Sequence, residues 1–254
     1  GVLCVLQDRC LFWSDDLLLG RACVAGYRRA NGRLPGQTAS ASRGKPHAVT
    51  SANGNMTERG DDELSWDVEN RLISATVGVT TTLFSYDGDG ARVKKVVSGT
   101  TTYYVGNWYE KTGDGSTKYY YHGGRLVALR RSGYASDNGL FYIHADHLGS
   151  TMLTTDSGQD VVAEQRFYPW GEATRYTSGT QKTEFNFTGQ RLDSSTSLLH
   201  YGARYYDPVL RRWVQPDTVV PDPGNPQDLN RYAYVLNNPL RYTHPTGVTR
   251  YVSR

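Results

Sequence analysis

From Lys45 onward the chain has no cysteine; its three thiols, Cys4, Cys10 and Cys23, all fall within residues 1–44. Neither a disulfide framework nor a cysteine-ligated metal can therefore hold the body together. Apolar runs of membrane-spanning length are also missing, so no span is expected. No targeting sequence is recognisable, because Asp15 and Asp16 interrupt the apolar stretch from Cys10 to Leu19. The body lacks net charge as well. Residues 1–44 hold six arginines against three aspartates, which accounts for the whole formal charge of +3. A neutral body carries no electrostatic footprint of nucleic-acid binding, so no nucleic-acid partner is expected.

Tyrosine is plentiful, but unevenly so: eighteen of the nineteen lie at or beyond Tyr86. Residues 1–44 thus differ in composition from the rest of the chain, and Arg28 to Gly44 mixes arginine, glycine, serine and alanine as a flexible linker does. This segment is expected to be a poorly ordered or misassigned leader, clipped first by protease at Arg28, Arg33 and Arg43. Starting at Gly1 rather than Met, the chain is expected to be part of a longer product.

From Lys45 a unit recurs: an aromatic, a polar turn, a glycine or asparagine, and often a basic residue and an aliphatic. Instances are Trp66-Asp67-Val68-Glu69-Asn70-Arg71-Leu72, Tyr86-Asp87-Gly88-Asp89-Gly90-Ala91-Arg92-Val93 and Tyr121-His122-Gly123-Gly124-Arg125-Leu126. Weaker ones surround Gly54, Gly149 and Gly171. The turn positions Gly54, Asn70, Gly90, Gly124, Gly149 and Gly171 stand 16, 20, 34, 25 and 22 residues apart, within the range of repeat architectures. Asp/Asn-Gly supplies the positive φ of a tight primed hairpin turn, and the flanking residues leave it as antiparallel strands. Thr100–Val105 and Thr117–Tyr121 mix aromatic and β-branched residues and read as two strands paired with each other. The expected fold class is all-β.

Tyr201 to Gly247 is dense in tyrosine and proline and has no helical period, so it reads as tight turns joined by short aromatic strands. Its motifs Gly202-Ala203-Arg204-Tyr205-Tyr206-Asp207-Pro208, Arg212-Trp213, Pro216-Asp217, Leu229-Asn230-Arg231-Tyr232-Ala233-Tyr234, Asn237-Asn238-Pro239 and His244-Pro245-Thr246-Gly247 resemble, in order, the Rhs (rearrangement-hotspot) repeat-associated core. The repeats upstream resemble that family's YD repeats. His144-Ala145-Asp146-His147-Leu148-Gly149-Ser150 resembles a further family signature. The resemblance implies a β-sheet spiral forming a shell, closed by a core plug, as in polymorphic toxins and the C components of toxin complexes. It divides the chain into the leader 1–44, a shell segment 45–175, a core 176–247 and a short tail 248–254. It implies a secreted or cell-surface bacterial protein enclosing a C-terminal toxin or other cargo. Val248 to Arg254 is too short for a folded domain, so the cargo is expected to be missing, and the remaining YD-repeat shell is the other expected partner.

The same resemblance implies chemistry. In the family the core can act as an intramolecular aspartic protease that releases the C-terminal segment, using two carboxylates that share a proton. It assigns a supporting role to Arg204 and the first catalytic aspartate to Asp217. At the second aspartate's position stands His244, and Val248 replaces the leucine before the cut. The dyad reads as degenerate, with Asp207, Asp222 and Asp228 as off-motif substitutes, so a structural shell is the preferred reading. The alternatives are the autoprotease and, from the many aromatics, a cell-surface glycan-binding module. His144, Asp146 and His147 could suggest a metal, but His147 is expected to face away and Asp146 to bond backbone amides, so no metal and no cofactor are expected.

Overall fold

The computed structural model of the protein describes residues 48–172, 174–220 and 222–248 together with the backbone of 251–252. The expected leader, 1–44, lies outside the described residues. The body is a meander of antiparallel strands: β1 (Ala48–Thr50), β2 (Met56–Arg59), β3 (Asp62–Trp66), β4 (Leu72–Val77), β5 (Thr80–Tyr86), β6 (Arg92–Val97) and β7 (Thr100–Val105). It continues through β8 (Tyr109–Thr112), β9 (Gly115–His122), β10 (Arg125–Ser132), β11 (Gly139–Ala145), β12 (Thr151–Asp156), β13 (Val161–Phe167) and β14 (Thr174–Gly179). Strand order in the 14-stranded sheet is chain order, as short connections dictate. The all-β expectation is met.

Turn chemistry sets the register. All six turn positions read from the sequence have positive φ, between 62° and 90°. Only one of the six forms the expected two-residue primed turn, at Gly123–Gly124 between His122 and Arg125. At Asn70, Gly90 and Gly149 the loop has three residues, and the positive φ falls on the last of them. Asp67, Asp87 and Asp146 open these loops. Each Oδ1 accepts from the amides two and four residues ahead, at 2.8–3.1 Å. The aspartate is thus the loop's template. Asp156 builds a further copy, with Gln159 (φ 71°) at the left-handed position. The first loop uses Ser51 in the aspartate's place, its Oγ accepting from Asn55 at 3.2 Å.

Replacing Asp87 with alanine should lower stability by about 1 kcal/mol, the usual worth of a side chain capping backbone amides. Urea unfolding checks this, and an unchanged midpoint would show that Gly90 alone holds the turn.

Thr100–Val105 and Thr117–Tyr121 do not pair with each other, contrary to expectation. The short β8 lies between them, pairing with β7 through Tyr104↔Glu110 and with β9 through Glu110↔Thr117. Gly113 at φ 58° allows the additional tight turn that sequence alternation did not mark.

In several strands buried and exposed residues alternate. In β5, Thr82 and Phe84 are buried and Leu83 is exposed; in β9, Thr117 and Tyr119 are buried and Tyr120 is exposed. The buried face is covered by the C-terminal segment. A small sheet forms there from β15 (Arg191–Asp193), β16 (Leu198–His200), β17 (Tyr205–Asp207) and β18 (Arg212–Trp213), and β19 (Tyr242–Thr243) pairs with β20 (Tyr251–Val252). One core cluster joins Met56, Leu64, Leu72, Ala75 and Phe84 of the large sheet to Leu198, Tyr205 and Val214 of this plug. Another joins Tyr119, Leu129, Phe141 and Ile143 to Phe185. Phe187, Leu199, Tyr201, Tyr206, Trp213, Tyr234 and Val235 form the plug's own aromatic core. Burial of these rings, rather than regular backbone pairing, stabilises a segment whose prolines limit its strands.

Candidate functional site

Arg204 lies between β16 and β17, just after a turn at Gly202 (φ 81°). Ala203 donates to the carbonyl of Thr246 at 3.2 Å, which draws the His244–Gly247 segment alongside. Gly247 (φ 79°) makes this approach possible, since a Cβ there would sit 3.1 Å from both the amide nitrogen of Arg204 and the carbonyl oxygen of Tyr201. The Arg204 guanidinium then stacks on Trp213, 4.1 Å from the ring centroid, and the His244 ring meets the same indole edge-on at 5.0 Å.

The structure brings the sequence-predicted residues together around that guanidinium. Arg204 Nη2 is 2.6 Å from Asp217 Oδ2 and 3.2 Å from His244 Nε2. Arg204 Nε donates to the carbonyl of Gly247, and Nη1 to that of Arg231 at 3.4 Å. A guanidinium can only donate, so Nε2 of His244 accepts and carries no proton. Burial pulls the Arg204 guanidinium down to about 10, with Asp217 opposing the fall. Asp217 is further fixed by its backbone: its amide donates to Arg231's carbonyl at 2.9 Å, and Arg231 Nε returns a bond to its carbonyl at 2.5 Å.

The sequence-based expectation paired Asp217 directly with His244. In the structure both residues contact the arginine, and Asp228 enters as a second carboxylate. Asp217, Asp228, His244 and Val248 line one cavity of about 40 Å³. That volume suits about one water molecule. Asp228 is buried and is held by the Asn225 side-chain amide at 3.1 Å. The other off-motif candidates are placed elsewhere. Asp207 pairs with Arg59 at 3.2 Å, and Asp222 caps the amide of Gly224. No periodicity distinguishes these aspartates, since Asp207, Asp217 and Asp222 alike accept from a backbone amide two residues ahead. Only the fold of residues 217–231 brings Asp228 to the cavity.

Val235 and Leu236, which also line it, run with Asn237 through three successive left-handed conformations, φ 44°, 52° and 58°. Such backbone costs of order 1–3 kcal/mol per residue and is held only where surrounding packing determines it, here through fully buried Tyr234.

The remaining candidates are dispersed. His144 Nε2 is 3.2 Å from Thr155 Oγ1, and Asp146 is occupied as a turn template. Among the described residues no group of three or more His, Cys, Asp or Glu side chains could hold a metal. Tyr104, Tyr119, Tyr205 and Tyr206 are buried in packing, whereas Tyr103, Tyr120 and Tyr142 are exposed. No helix among the described residues is long and apolar enough to cross a membrane.

Comparison with known proteins bears on the fold. The teneurin YD-shell family profile matches residues 53–240. The tRNA3(Ser)-specific nuclease WapA of Bacillus spizizenii is 30% identical over 212 residues, covering 77% of this chain and 9% of that one. Toxin subunit YenC2 of Yersinia entomophaga is 35% identical over 103 residues, 39% of this chain and 10% of its own. The crystal structure of TcdB2-TccC3-Cdc42 superposes with a TM-score of 0.66 at 26% identity, covering 80% of this chain and 11% of that one. This chain therefore spans about a tenth of the length of each. The aspartate-templated meander with one covered face has a structural role as shell wall, and the chain belongs to the teneurin YD-shell family.

Proposed function

We propose that this chain is the closing end of a YD-repeat shell that encloses a C-terminal toxin or other cargo segment, in a protein that is secreted or displayed at the cell surface. The carrying observation is that the turn-rich segment contributes to both hydrophobic clusters on the covered face of the sheet. A wall and a plug that share their core form one closed end. Toxin-subunit relatives support the cargo and the extracellular setting. The nuclease activity in the name of WapA is said of that protein, of which this chain spans 9%. The test is to express the chain with its natural flanking sequence and follow proteolysis of the downstream segment. Protection until the shell is denatured is expected; digestion as fast as the free segment would reject enclosure.

A second reading, release of the segment by self-cleavage after Val248, is favoured by the cavity that Asp217, Asp228 and Val248 share. Salt-bridged Asp217 would be the carboxylate that activates water, and Asp228 the second carboxyl group, facing the carbonyl. Water then adds to the carbonyl of Val248, the bond to Thr249 breaks, and a carboxyl and an amine result. On this reading the intact mass of purified protein falls by the residues after Val248, and Asp217→Asn or Asp228→Asn prevents the loss. Cleavage that appears only in His244→Asp would place the second carboxylate at 244 instead. A chain that stays intact in all four proteins leaves the shell role alone.

A further inference from the structure

Sheet and plug also meet around a group of charges away from Asp217. Arg92 of β6 and Arg191 of β15 both lie over the Tyr104 ring, at 4.9 and 4.7 Å from its centroid. Through Nη1, Arg92 binds Asp193 at 2.5 Å, and Arg191 binds Glu110. Lys95 bridges Glu184 at 2.7 Å and Asp193 at 3.1 Å. Three cations therefore face three carboxylates, and every cation is paired through one nitrogen.

Besides Oε2 of Glu184, the pairing leaves four buried polar atoms without a hydrogen bond inside the protein: Nη2 of Arg92, Nη2 of Arg191, the Tyr104 hydroxyl and Nε2 of His200. All four side chains line one cavity of about 380 Å³. The two arginine side chains are 2% and 4% exposed, so these donors are built into the interior rather than scattered over a surface. Its mouth is formed by exposed residues of two sheet turns, Asp89 and Asn107, and by Gly202 and Ala203 of the plug. Buried donors of this kind require a partner, and guanidinium N–H groups beside a phenol match the oxygens of a compact oxoanion. Burial, with the charge of Arg92, pushes His200 well below its usual range, so its ring is neutral; the other ring nitrogen bonds the Gly202 backbone, which leaves Nε2 as an acceptor for a protonated oxoanion oxygen.

We propose that this cavity binds a small tetrahedral oxoanion, phosphate or sulfate, between Arg92, Arg191, Tyr104 and His200. The site is separate from the Asp217 cavity and does not depend on what the shell encloses. Asp89 at the mouth opposes entry of an anion and so weakens binding.

The experiment measures thermal unfolding and calorimetric binding of the full chain with inorganic phosphate, sulfate and acetate, against chloride at equal ionic strength. Phosphate and sulfate are expected to bind with one-to-one stoichiometry and raise Tm. Tyr104→Phe, which removes only an unpartnered hydroxyl, should weaken binding about threefold to tenfold, one hydrogen bond's worth. Asp89→Asn, an exposed change, should strengthen it about twofold to fivefold by removing a like charge. Both variants keep the paired charges and should fold. No effect beyond chloride would overturn the proposal. So would equal affinity in all three proteins, which marks adventitious surface binding, or acetate binding as tightly as phosphate.

Discussion

Replacing Asp193 with asparagine is expected to destabilise the fold by about 3–5 kcal/mol, the usual result of removing one partner from a buried ion pair. Asp193 is fully buried and receives Arg92 at 2.5 Å and Lys95 at 3.1 Å. Asparagine keeps the shape but leaves Arg92 without its carboxylate and Lys95 with Glu184 alone. Urea or thermal unfolding measures the loss, and a change below about 1 kcal/mol would mean that the interior relaxes or admits water around the freed charges. Burial by itself would raise the Asp193 carboxyl, but Arg92 and Lys95 outweigh it and hold the group below its usual range. A carboxylate depressed in the folded state contributes stability that is present above the unfolded value of about 3.9. That contribution disappears as pH falls through the lower folded value. Acid unfolding of the wild type should thus steepen below about pH 4, and Asp193→Asn should flatten that limb.

Trp213→Ala should cost a comparable amount, about 3–5 kcal/mol, because it removes a large fully buried ring from a core that cannot readily collapse. The indole is fully buried among Tyr201, Tyr206 and Tyr234, with ring centroids at 5.0, 5.8 and 5.6 Å, and it also carries the Arg204 guanidinium. The loss therefore has a second consequence. Without the indole, Arg204 is no longer fixed between Asp217 and His244, so any self-cleavage should fall along with stability. Trp213→Phe retains a ring and should recover part of both. Near-native stability of Trp213→Ala would show that the aromatic core refills the space.

Much of the fold is legible in the chain because the interactions that specify it are short. The loop opened by Asp87 closes through bonds to Asp89 and Ala91, all within five residues, and a glycine relieves the positive φ at its end. The same signal failed where the marker was absent. The Asp156 loop ends in Gln159 rather than glycine, and β8 is too short to show an alternation of its own.

For the candidate site, motif order singled out Arg204, Asp217 and His244, and the structure sets all three within reach of one another. It did not separate Asp228 from three other aspartates of the same chemical character, nor show that Arg204 stands between Asp217 and His244. The contacts of Arg92, Arg191 and His200 were equally hidden. Arg92 meets Asp193 across 101 residues and Arg191 meets Glu110 across 81.

By itself the sequence determined an antiparallel meander, its turn positions and a proline-limited C-terminal segment, because each of these is decided by backbone conformation and hydrogen bonds within a few residues. Tertiary structure alone decided which face of the meander is covered, which aspartates share a cavity and which guanidinium groups keep donors unpaired. Those outcomes depend on side chains far apart in the chain being pressed together by hydrophobic burial, which specifies neither a partner for every polar atom nor any order along the sequence.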